Sequence, residues 1–168
     1  CVMARDIDAS AALMNNNAFQ QATQIIHRQQ EQFGSIFTKQ IIRLLKERDI
    51  HLLYNEPIPD FIQASLTSFF YTQVLAFLQP VYLNTKKGAD FFPENNKLYL
   101  LTIVQREGEQ EEPVIINIPS DQLDRFISVP ANNRQYVVFL DDIIKNNLSV
   151  IFKQATVKGC FSFKITRD

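Results

Sequence analysis

The sequence predicts an α+β fold in which helices occupy the first half of the chain and strands occupy the second half. Between residues 22 and 45, apolar side chains recur at spacings of three and four, which predicts a helix of roughly eight turns with one apolar face. After residue 97, runs rich in β-branched and aromatic residues alternate with turn residues, as is typical of antiparallel strands. We therefore expect the long N-terminal helix and a second helix to pack on a mainly antiparallel sheet, with a further short helix.

Composition narrows the class of protein. The 168 residues are 46% hydrophobic and 21% charged, which is ordinary for one globular domain, and the net charge of −1 excludes a broad basic surface for nucleic acid. Cys1 and Cys160 stand in no metal-ligand spacing, which favours free thiols in a reducing compartment. No apolar run approaches the roughly 20 residues that span a bilayer, and residues 1–17 lack the apolar core of a secretory signal. We expect a cytoplasmic protein without a transmembrane segment.

The first half of the chain is predicted to contain two helices separated by a short strand. Asn17 is placed to cap the long helix through its side-chain oxygen. Gly34 within that helix costs about 1 kcal/mol relative to alanine, which suggests close packing at this position. Residues 50–54 are predicted to form a short strand. Asp60 is placed to cap the second helix, and Pro80 ends it.

The second half is predicted to be a β-hairpin followed by a strand, a helix and a final strand. The predicted boundaries in chain order are a loop at 84–96, hairpin strands at 97–105 and 113–118, one helical turn capped by Ser120 and Asp121, a loop at 130–134, a strand at 136–140, an amphipathic helical segment at 143–152, and a strand that ends at 166–168.

Histidines and acidic residues are the first candidates for a metal or catalytic site. His27 lies beside the apolar face of the long helix with Glu31 as its acidic neighbour at helical spacing, and His51 lies in the short strand. Two single histidines in unrelated contexts make a metal site improbable, so surface positions are the favoured interpretation. The tip of the predicted hairpin carries a run of acidic residues, Glu107, Glu109, Glu111 and Glu112. We favour a solvated tip, whose charge prevents pairing of strand edges, over a cation site.

A second acidic pair, Asp141 and Asp142, directly follows an apolar strand. The pair has the ligand chemistry for a divalent cation, but the start of a helix needs an acceptor and a negative charge at the same place. Capping is therefore the favoured explanation. The Asn147-Leu148-Ser149 triplet fits a glycosylation sequence, but in a predicted helix of a cytoplasmic protein it has no expected role.

Two basic segments are candidates for phosphate contact. Lys86, Lys87 and Gly88 form a small basic loop whose alternative explanation is an exposed turn. Arg167 is the most specific candidate, because a guanidinium group can donate two parallel hydrogen bonds to a phosphate or a carboxylate. A structural ion pair between Arg167 and Asp168 is the favoured interpretation. We find no phosphate-cradling glycine loop and no nucleophile–histidine set, so no catalytic, cofactor-binding or metal residue is predicted.

Several segments in a fixed order resemble the long bacterial polyphosphate kinases over about residues 20–168. The most specific is the C-terminal block, in which an apolar strand runs into Leu-Asp-Asp, a helix, an aromatic strand and Thr-Arg-Asp. Three positions depart from the family pattern: Asp124 replaces a usual proline, Lys164 a common arginine, and Gln79 the threonine of Leu-Thr-Pro. The remaining matching segments are Asp49-Ile50-His51-Leu52, residues 69–83, residues 90–96 with the strand after them, and residues 118–120 followed by 125–130.

The resemblance implies that residues 1–19 are the remnant of a preceding helical domain and that residues 20–168 are the head, or middle, domain, incomplete at its C-terminus. It implies a parent enzyme that reversibly transfers the terminal phosphate of ATP to polyphosphate through a phosphohistidine, with Mg²⁺. Neither His27 nor His51 matches the histidine motifs of the family. The chain alone is therefore expected to be inactive, without its own cofactor.

The same resemblance implies the partners. The head domain is expected to contact the other domains of the polypeptide and a second subunit of a homo-oligomer, and to wall the tunnel for ATP and polyphosphate. Peripheral membrane association of the parent is an open expectation. The start at Cys1 without an initiator methionine, and the end in a strand-like segment, lead us to expect a piece of a longer protein.

Two other functions remain open. In the first, the chain is a stand-alone protein–protein interaction module whose long amphipathic helix dimerises or docks on a partner. In the second, the chain binds nucleotide on its own. The sequence lacks a glycine-rich phosphate-binding loop, which argues against this function. The long apolar stripe suggests that apolar surface is exposed once neighbouring domains are removed, so we expect the chain to self-associate.

Overall fold

A computed structural model describes residues 17–166 of the chain. Within them the predicted α+β class is confirmed, and the contacts divide the chain into two units with a boundary between Arg48 and Asp49. The helices are α1 (Asn17–Ile36), α2 (Ile42–Lys46), α3 (Asp60–Phe69), α4 (Lys86–Ala89), α5 (Leu140–Asn146) and α6 (Leu148–Ile151). The strands are β1 (Ile50–Leu52), β2 (Val81–Tyr82), β3 (Leu98–Gln105), β4 (Glu112–Asn117), β5 (Phe126–Ala131), β6 (Arg134–Phe139) and β7 (Thr156–Lys164).

The first unit is the predicted long helix. Helix α1 continues through a π-helical segment (Phe37–Ile41) into α2, so that residues 17–46 form one helical run of about 45 Å at 1.5 Å per residue. None of the residues that the structure describes in this run is buried. Its large apolar side chains that are exposed are Phe19, Ile25, Ile26, Phe33, Ile36, Ile41 and Leu44.

Two local predictions for this helix are wrong. Asn17, the first residue that the structure describes, is already helical rather than a cap, and its Oδ1 accepts a hydrogen bond from Nε2 of Gln21 at 3.3 Å. Gly34 is not a position of close packing, because a Cβ built there would have no described atom within 4 Å. The carbonyl of Gly34 accepts a hydrogen bond from Oγ1 of Thr38 at 2.7 Å, where the π-helical segment begins.

The second unit contains two sheets around one apolar core. A three-stranded sheet has the order β1-β6-β5, and a four-stranded antiparallel sheet has the order β2-β4-β3-β7. Pairing is antiparallel throughout the described strands except between β1 and β6, which confirms the mainly antiparallel prediction. The largest fully buried side chains are Phe70, Ile62, Leu66, Leu100, Ile116, Leu140, Ile143, Ile144, Val74, Val104, Val114 and Val138.

Helix α3 confirms the second predicted helix and supplies one wall of this core. It continues through a π-helical segment (Phe70–Val74) and a 3₁₀ turn (Leu75–Phe77), after which Pro80 prevents further helix. Asp60 is not the cap, because the extended residue Pro59 holds that position and Asp60 stands in the first turn, where its charge suits the helix dipole. The fully buried positions recur every four residues, at Ile62, Leu66, Phe70 and Val74.

The hairpin of β5 and β6 was not predicted. The expected helical turn after Ser120 is a single turn that does not continue as a helix: Leu123 N donates to Pro119 O at 3.0 Å, the spacing of one helical turn, and Phe126 already begins β5. The expected loop at 130–134 is wrong. It is a two-residue turn at Asn132 and Asn133, with φ of 51° and 60°, flanked by paired strands.

We predict that the Asn132→Ala/Asn133→Ala double variant loses about 1–2 kcal/mol of unfolding free energy. Both residues have left-handed backbone, which asparagine tolerates and alanine resists, and this geometry matches the twist of a two-residue hairpin. Urea unfolding followed by circular dichroism measures the change. The Asn133→Gly variant is the matched control and is expected to be at least as stable as the native chain. An alanine variant of native stability would contradict the role of this turn.

The predicted loop at 84–96 contains one short helix, α4. Thr85 caps it, since its Oγ1 accepts a hydrogen bond from Gly88 N at 3.2 Å. Glycine is required at residue 88, because a Cβ there would collide with the carbonyl oxygen of Tyr82. The chain then extends to β3, which pairs with β4 in the predicted hairpin and with β7 on its other side.

Candidate functional site

Polar side chains converge where α5 lies against β7. Ser162 on β7 donates from Oγ to Oδ2 of Asp141 at 3.2 Å. Lys145, one turn further along α5, donates from Nζ to Oδ2 of Asp141 at 3.5 Å and to Oδ1 of Asp142 at 3.2 Å. Asp141 is only 9% exposed, so this cluster is a partly buried ion pair rather than a surface contact.

Asp141 and Asp142 supply the predicted negative charge at the start of the helix, but neither is the predicted cap. Phe139, with extended backbone, is the residue before the helix, and Leu140 is its first helical residue. Both carboxylates therefore lie in the first turn and make no capping hydrogen bond. Their spacing to Lys145 is three and four residues, which places all three side chains on one face of the helix.

Two ionisable groups in the cluster have shifted pKa values. Partial burial acts to lower the pKa of Lys145, but the hydrogen bond and charge of Asp142, with the charge of Asp141, outweigh it and raise the pKa above its ordinary value of 10.5. Burial raises the pKa of the Cys160 thiol, and a hydrogen bond between this thiol and Oγ1 of Thr102, 3.5 Å away, opposes that shift.

The cluster does not fit a magnesium ion. Lys145 occupies the cation position between the two carboxylates, and Mg²⁺ requires several oxygen ligands in near-octahedral geometry. Across residues 17–166 the structure forms no group of three or more His, Cys, Asp or Glu side chains able to hold a metal ion. Oδ1 of Asp141 is buried and has no hydrogen-bond partner among those residues. The cluster instead joins β7 to α5, through the hydrogen bond between Ser162 and Asp141.

Strand β7 ends shortly before Arg167, the residue that the sequence singled out as a candidate for phosphate contact. Lys164 pairs with Leu98 at the start of β3, and Asn96 N donates to Ile165 O at 2.8 Å. The loop before β3 and the end of β7, which the sequence singled out separately, therefore lie side by side. Arg167 and Asp168 themselves lie outside the described residues.

A cleft of about 240 Å³ opens beside this junction. Glu94 N donates to Oη of Tyr99 at 2.9 Å, and Lys97 forms an ion pair with Asp121 across the cleft. Asn117 closes its far side, because its Oδ1 accepts from Gln79 N at 2.6 Å and its Nδ2 donates to Phe77 O at 2.9 Å. The polar groups named here bind other protein groups, so the part of the cleft formed by residues 17–166 presents no cluster of free cations for a phosphate chain.

The structure does not bring the other candidates together. His27 lies exposed on α1, and the ring of His51 packs against Tyr136 with centroids 5.2 Å apart. In the acidic run, Glu109 and Glu112 lie 3.3 and 3.5 Å from Nη1 of Arg106. The hydrogen bond to Glu109 is the main cause that raises the pKa of this arginine.

The other residues that the sequence singled out have structural roles or surface positions within their own elements. Lys86 begins α4 on the surface. Asn147 is buried and donates from Nδ2 to Ile143 O at 2.9 Å, so its place in a glycosylation triplet has no role. Sequence reasoning missed Lys145 and Ser162. The spacing of four residues from Asp141 to Lys145 was a readable signal, but the contact with Ser162 depends on tertiary structure.

No helix among the described residues is long and apolar enough to cross a membrane.

Comparison with known proteins identifies the family. Residues 62–168 match the family profile described as polyphosphate kinase middle domain. The polyphosphate kinase of Vibrio cholerae is 28% identical over 146 residues, which cover 82% of this chain and 20% of that protein. The polyphosphate kinase of Thermosynechococcus vestitus is 33% identical over 142 residues, which cover 79% of this chain and 19% of that protein.

A solved structure agrees with these sequence matches. The crystal structure of polyphosphate kinase from Porphyromonas gingivalis superposes with a TM-score of 0.79 at 28% identity, and the match covers 96% of this chain and 26% of that one. The chain thus spans about a fifth of the length of the relatives from Vibrio and Thermosynechococcus. It belongs to the polyphosphate kinase family, and its residues 62–168 correspond to the middle domain of that family.

Proposed function

We propose that the chain is the non-catalytic head domain of a polyphosphate kinase, with the end of the helical region that precedes it. In this proposal residues 20–168 form the head domain and residues 1–19 are the remnant of the preceding domain. Its role is to contact a second subunit and to wall the tunnel for nucleotide and polyphosphate. The match of residues 62–168 to the middle domain of the family carries the proposal.

The parent protein in this proposal is cytoplasmic and reversibly transfers the terminal phosphate of ATP to polyphosphate through a phosphohistidine, with Mg²⁺. We assign these reacting groups to the rest of the parent. Phosphoryl transfer needs preorganised cations around the phosphate, whereas Lys97 in the cleft and Lys145 in the Asp141 cluster are each paired with carboxylates. The buried core and the Asp141 cluster instead support a scaffold role.

An assay of phosphate transfer tests this proposal. The 168-residue chain and the longer protein encoded by its native coding region are each incubated with ATP, Mg²⁺ and a polyphosphate primer. We expect polyphosphate synthesis by the longer protein and none by the 168-residue chain. Synthesis by the 168-residue chain would contradict the scaffold role, and an inactive, folded longer protein would contradict the parent activity.

Arg167 is proposed as a phosphate contact in the parent. In the longer protein, Arg167→Ala is expected to lower kcat/KM for polyphosphate at least tenfold, because one charge-assisted bidentate contact is lost. Arg167→Lys keeps the positive charge but cannot form the bidentate contact, so it should recover part of the lost kcat/KM. Asp168→Asn is the matched control. An equal loss in the Asp168 variant would favour the structural ion pair over phosphate contact.

The exposed apolar face of the long helix favours a second candidate function, a protein–protein interaction module. Phe33 on this face is 70% exposed and stacks on Phe37 with centroids 6.4 Å apart. A helix with such a face is typical of groove docking or dimerisation. Binding of the 168-residue chain to an unrelated protein partner that is lost in Phe33→Lys, with an inactive longer protein, would favour this function.

A further inference from the structure

The loop before β3 and the end of β7 are both held on Tyr99, which is only 5% exposed. The ring of Tyr99 stacks on that of Phe163, its partner on β7, with centroids 5.6 Å apart. The ring of Phe91 meets it edge to face at 5.8 Å, and Tyr99 Oη accepts the hydrogen bond from Glu94 N at 2.9 Å. One buried side chain therefore fixes the loop at two points and β7 at a third.

Asn96 connects the same loop to the backbone just beyond β7. Its N–H donates to Ile165 O at 2.8 Å, and Ile165 directly follows Lys164, the last residue of β7. Asn96 has left-handed backbone, with φ of 62°, a conformation that asparagine adopts more readily than most residues. The hydrogen bond therefore depends on a residue that keeps its N–H and accepts this backbone angle.

This hydrogen bond is not needed to hold β7 in its sheet. The pairing of β7 with β3 continues through Lys164, the last residue of the strand. Asn96 is exposed and lies outside the apolar core. What the hydrogen bond adds is a fixed position for Ile165, two residues before Arg167.

The contacts on either side of Asn96 make this part of the loop a firm support. Loops are usually more mobile than the elements that they connect. Here the hydrogen bond from Glu94 N to Tyr99 ties the loop to a buried strand residue. On the other side, Lys97 is paired with Asp121. Asn96 therefore lies between two anchored residues.

We propose that Asn96 is a positioning residue for Arg167 in the parent protein. By fixing the carbonyl of Ile165, it sets the direction in which the backbone continues from β7, and with it the reach of the Arg167 guanidinium toward phosphate. A bidentate contact needs two aligned hydrogen bonds, so a displacement of about 1 Å is enough to weaken it strongly. Asn96 itself makes no contact with phosphate. The inference rests on the proposed function for the phosphate contact of Arg167.

Steady-state kinetics of the longer protein test this role. Asn96→Pro removes the N–H and forces a negative φ, so we expect kcat/KM for polyphosphate to fall about fivefold, less than in Arg167→Ala, which loses the guanidinium. Asn96→Gly keeps the N–H and the left-handed backbone and should retain kcat/KM within about twofold. Asn55→Pro is the matched control, because Asn55 is also exposed, with φ of 54°, but lies in the loop after β1.

Two measurements separate positioning from a loss of folded protein. A damaged fold lowers the apparent kcat and leaves the KM for polyphosphate unchanged, whereas a displaced Arg167 raises this KM. In an Arg167→Ala background, Asn96→Pro should cause no further loss, because the group that it positions is already gone. An equal loss in both backgrounds, a loss confined to kcat, an equal loss in Asn55→Pro, or native kcat/KM in Asn96→Pro would overturn the positioning role.

The same variants distinguish failure of this inference from failure of the phosphate contact. If Arg167→Ala lowers kcat/KM and Asn96→Pro does not, the phosphate contact stands and the positioning role is overturned. If Arg167→Ala has native kcat/KM, the phosphate contact is overturned and the positioning role with it.

Discussion

Replacement of Phe70 with alanine is expected to lower the free energy of unfolding by about 3–5 kcal/mol, the range for removal of a buried phenylalanine. Phe70 is fully buried, at the junction of α3 and its π-helical continuation. It belongs to the core that both sheets share. Domains of this size are stable by about 5–15 kcal/mol, so this single change removes a large part of the total.

Urea unfolding followed by far-ultraviolet circular dichroism measures this loss, since the chain contains no tryptophan to report on it. The midpoint is expected to fall by roughly 1–5 M urea, given slopes of about 1–3 kcal/mol per molar. Phe92→Ala is the matched control, because Phe92 is 75% exposed and its replacement should cost less than about 0.5 kcal/mol. A cost below about 1 kcal/mol for Phe70→Ala would show that the two sheets do not depend on this core.

Periodic apolar sequence accounts for the part of the fold that could be predicted. The helices at 17–46 and 60–77 and the β3–β4 hairpin all follow from spacings of side chains that must face a core. Helix starts were less predictable. Asp60 and Asp141 have the chemistry of caps, yet Asp60 is the first residue of its helix and Asp141 the second, because helix ends are defined by backbone angles that the sequence leaves open by a residue or two.

Strand β5 shows why the rest could not be predicted. It contains Pro130, which argues for a loop, but proline is tolerated in an edge strand. The signal that would have found it is the pair Asn132 and Asn133, since asparagine suits left-handed backbone in a two-residue hairpin turn. The parallel pairing of β1 with β6 joins residues far apart in the chain, and no local pattern specifies it.

The candidate site was predictable to a similar extent. Asp141 and Lys145 lie four residues apart in one predicted helix, so their ion pair could be read from spacing alone. Ser162 lies 21 residues from Asp141, and its contact depends on the register of β7 against β3. Spacing in the sequence is therefore enough to predict an ion pair within one helix, although the pair of Asp141 with Lys145 was missed, whereas a hydrogen bond that joins two elements cannot be predicted from spacing.

Lys145→Met is expected to destabilise the chain by about 1–3 kcal/mol, the cost of leaving a buried acceptor without its partner. Methionine keeps an apolar stem of similar length but removes the charge. The carboxylate of Asp141 would then keep only Ser162 as a hydrogen-bond donor among the described residues. Asp142 is more exposed, and its share of the interaction with Lys145 should be smaller, because solvent screens it.

A double-mutant cycle separates the ion pair from general damage. Asp141→Asn removes the charge of the carboxylate and keeps its shape, so the Asp141→Asn/Lys145→Met double variant should be more stable than the sum of the two single changes predicts. The expected coupling is about 0.5–3 kcal/mol, the range for residues in direct contact. Additive losses would mean that the two side chains do not interact in solution.

The pH dependence gives the sign of the charge effect. Because the pKa of Lys145 is raised in the folded chain, the folded state holds this proton more tightly than the unfolded state does. Its stabilising contribution is therefore complete at neutral pH and is lost as pH rises above the ordinary value of 10.5. The difference in unfolding free energy between the native chain and Lys145→Met should therefore become smaller as pH rises above 10.5.

Cys160 must be controlled in the same measurement. Burial raises the pKa of its thiol, so the stability it contributes is also lost in alkali, starting from its ordinary value of 9.0. The comparison is therefore made in a Cys160→Ser background, in which the hydroxyl can keep the hydrogen bond with Thr102. If the cost of Lys145→Met is the same at pH 7 and at pH 11, its contribution comes from packing of the lysine stem and not from its charge.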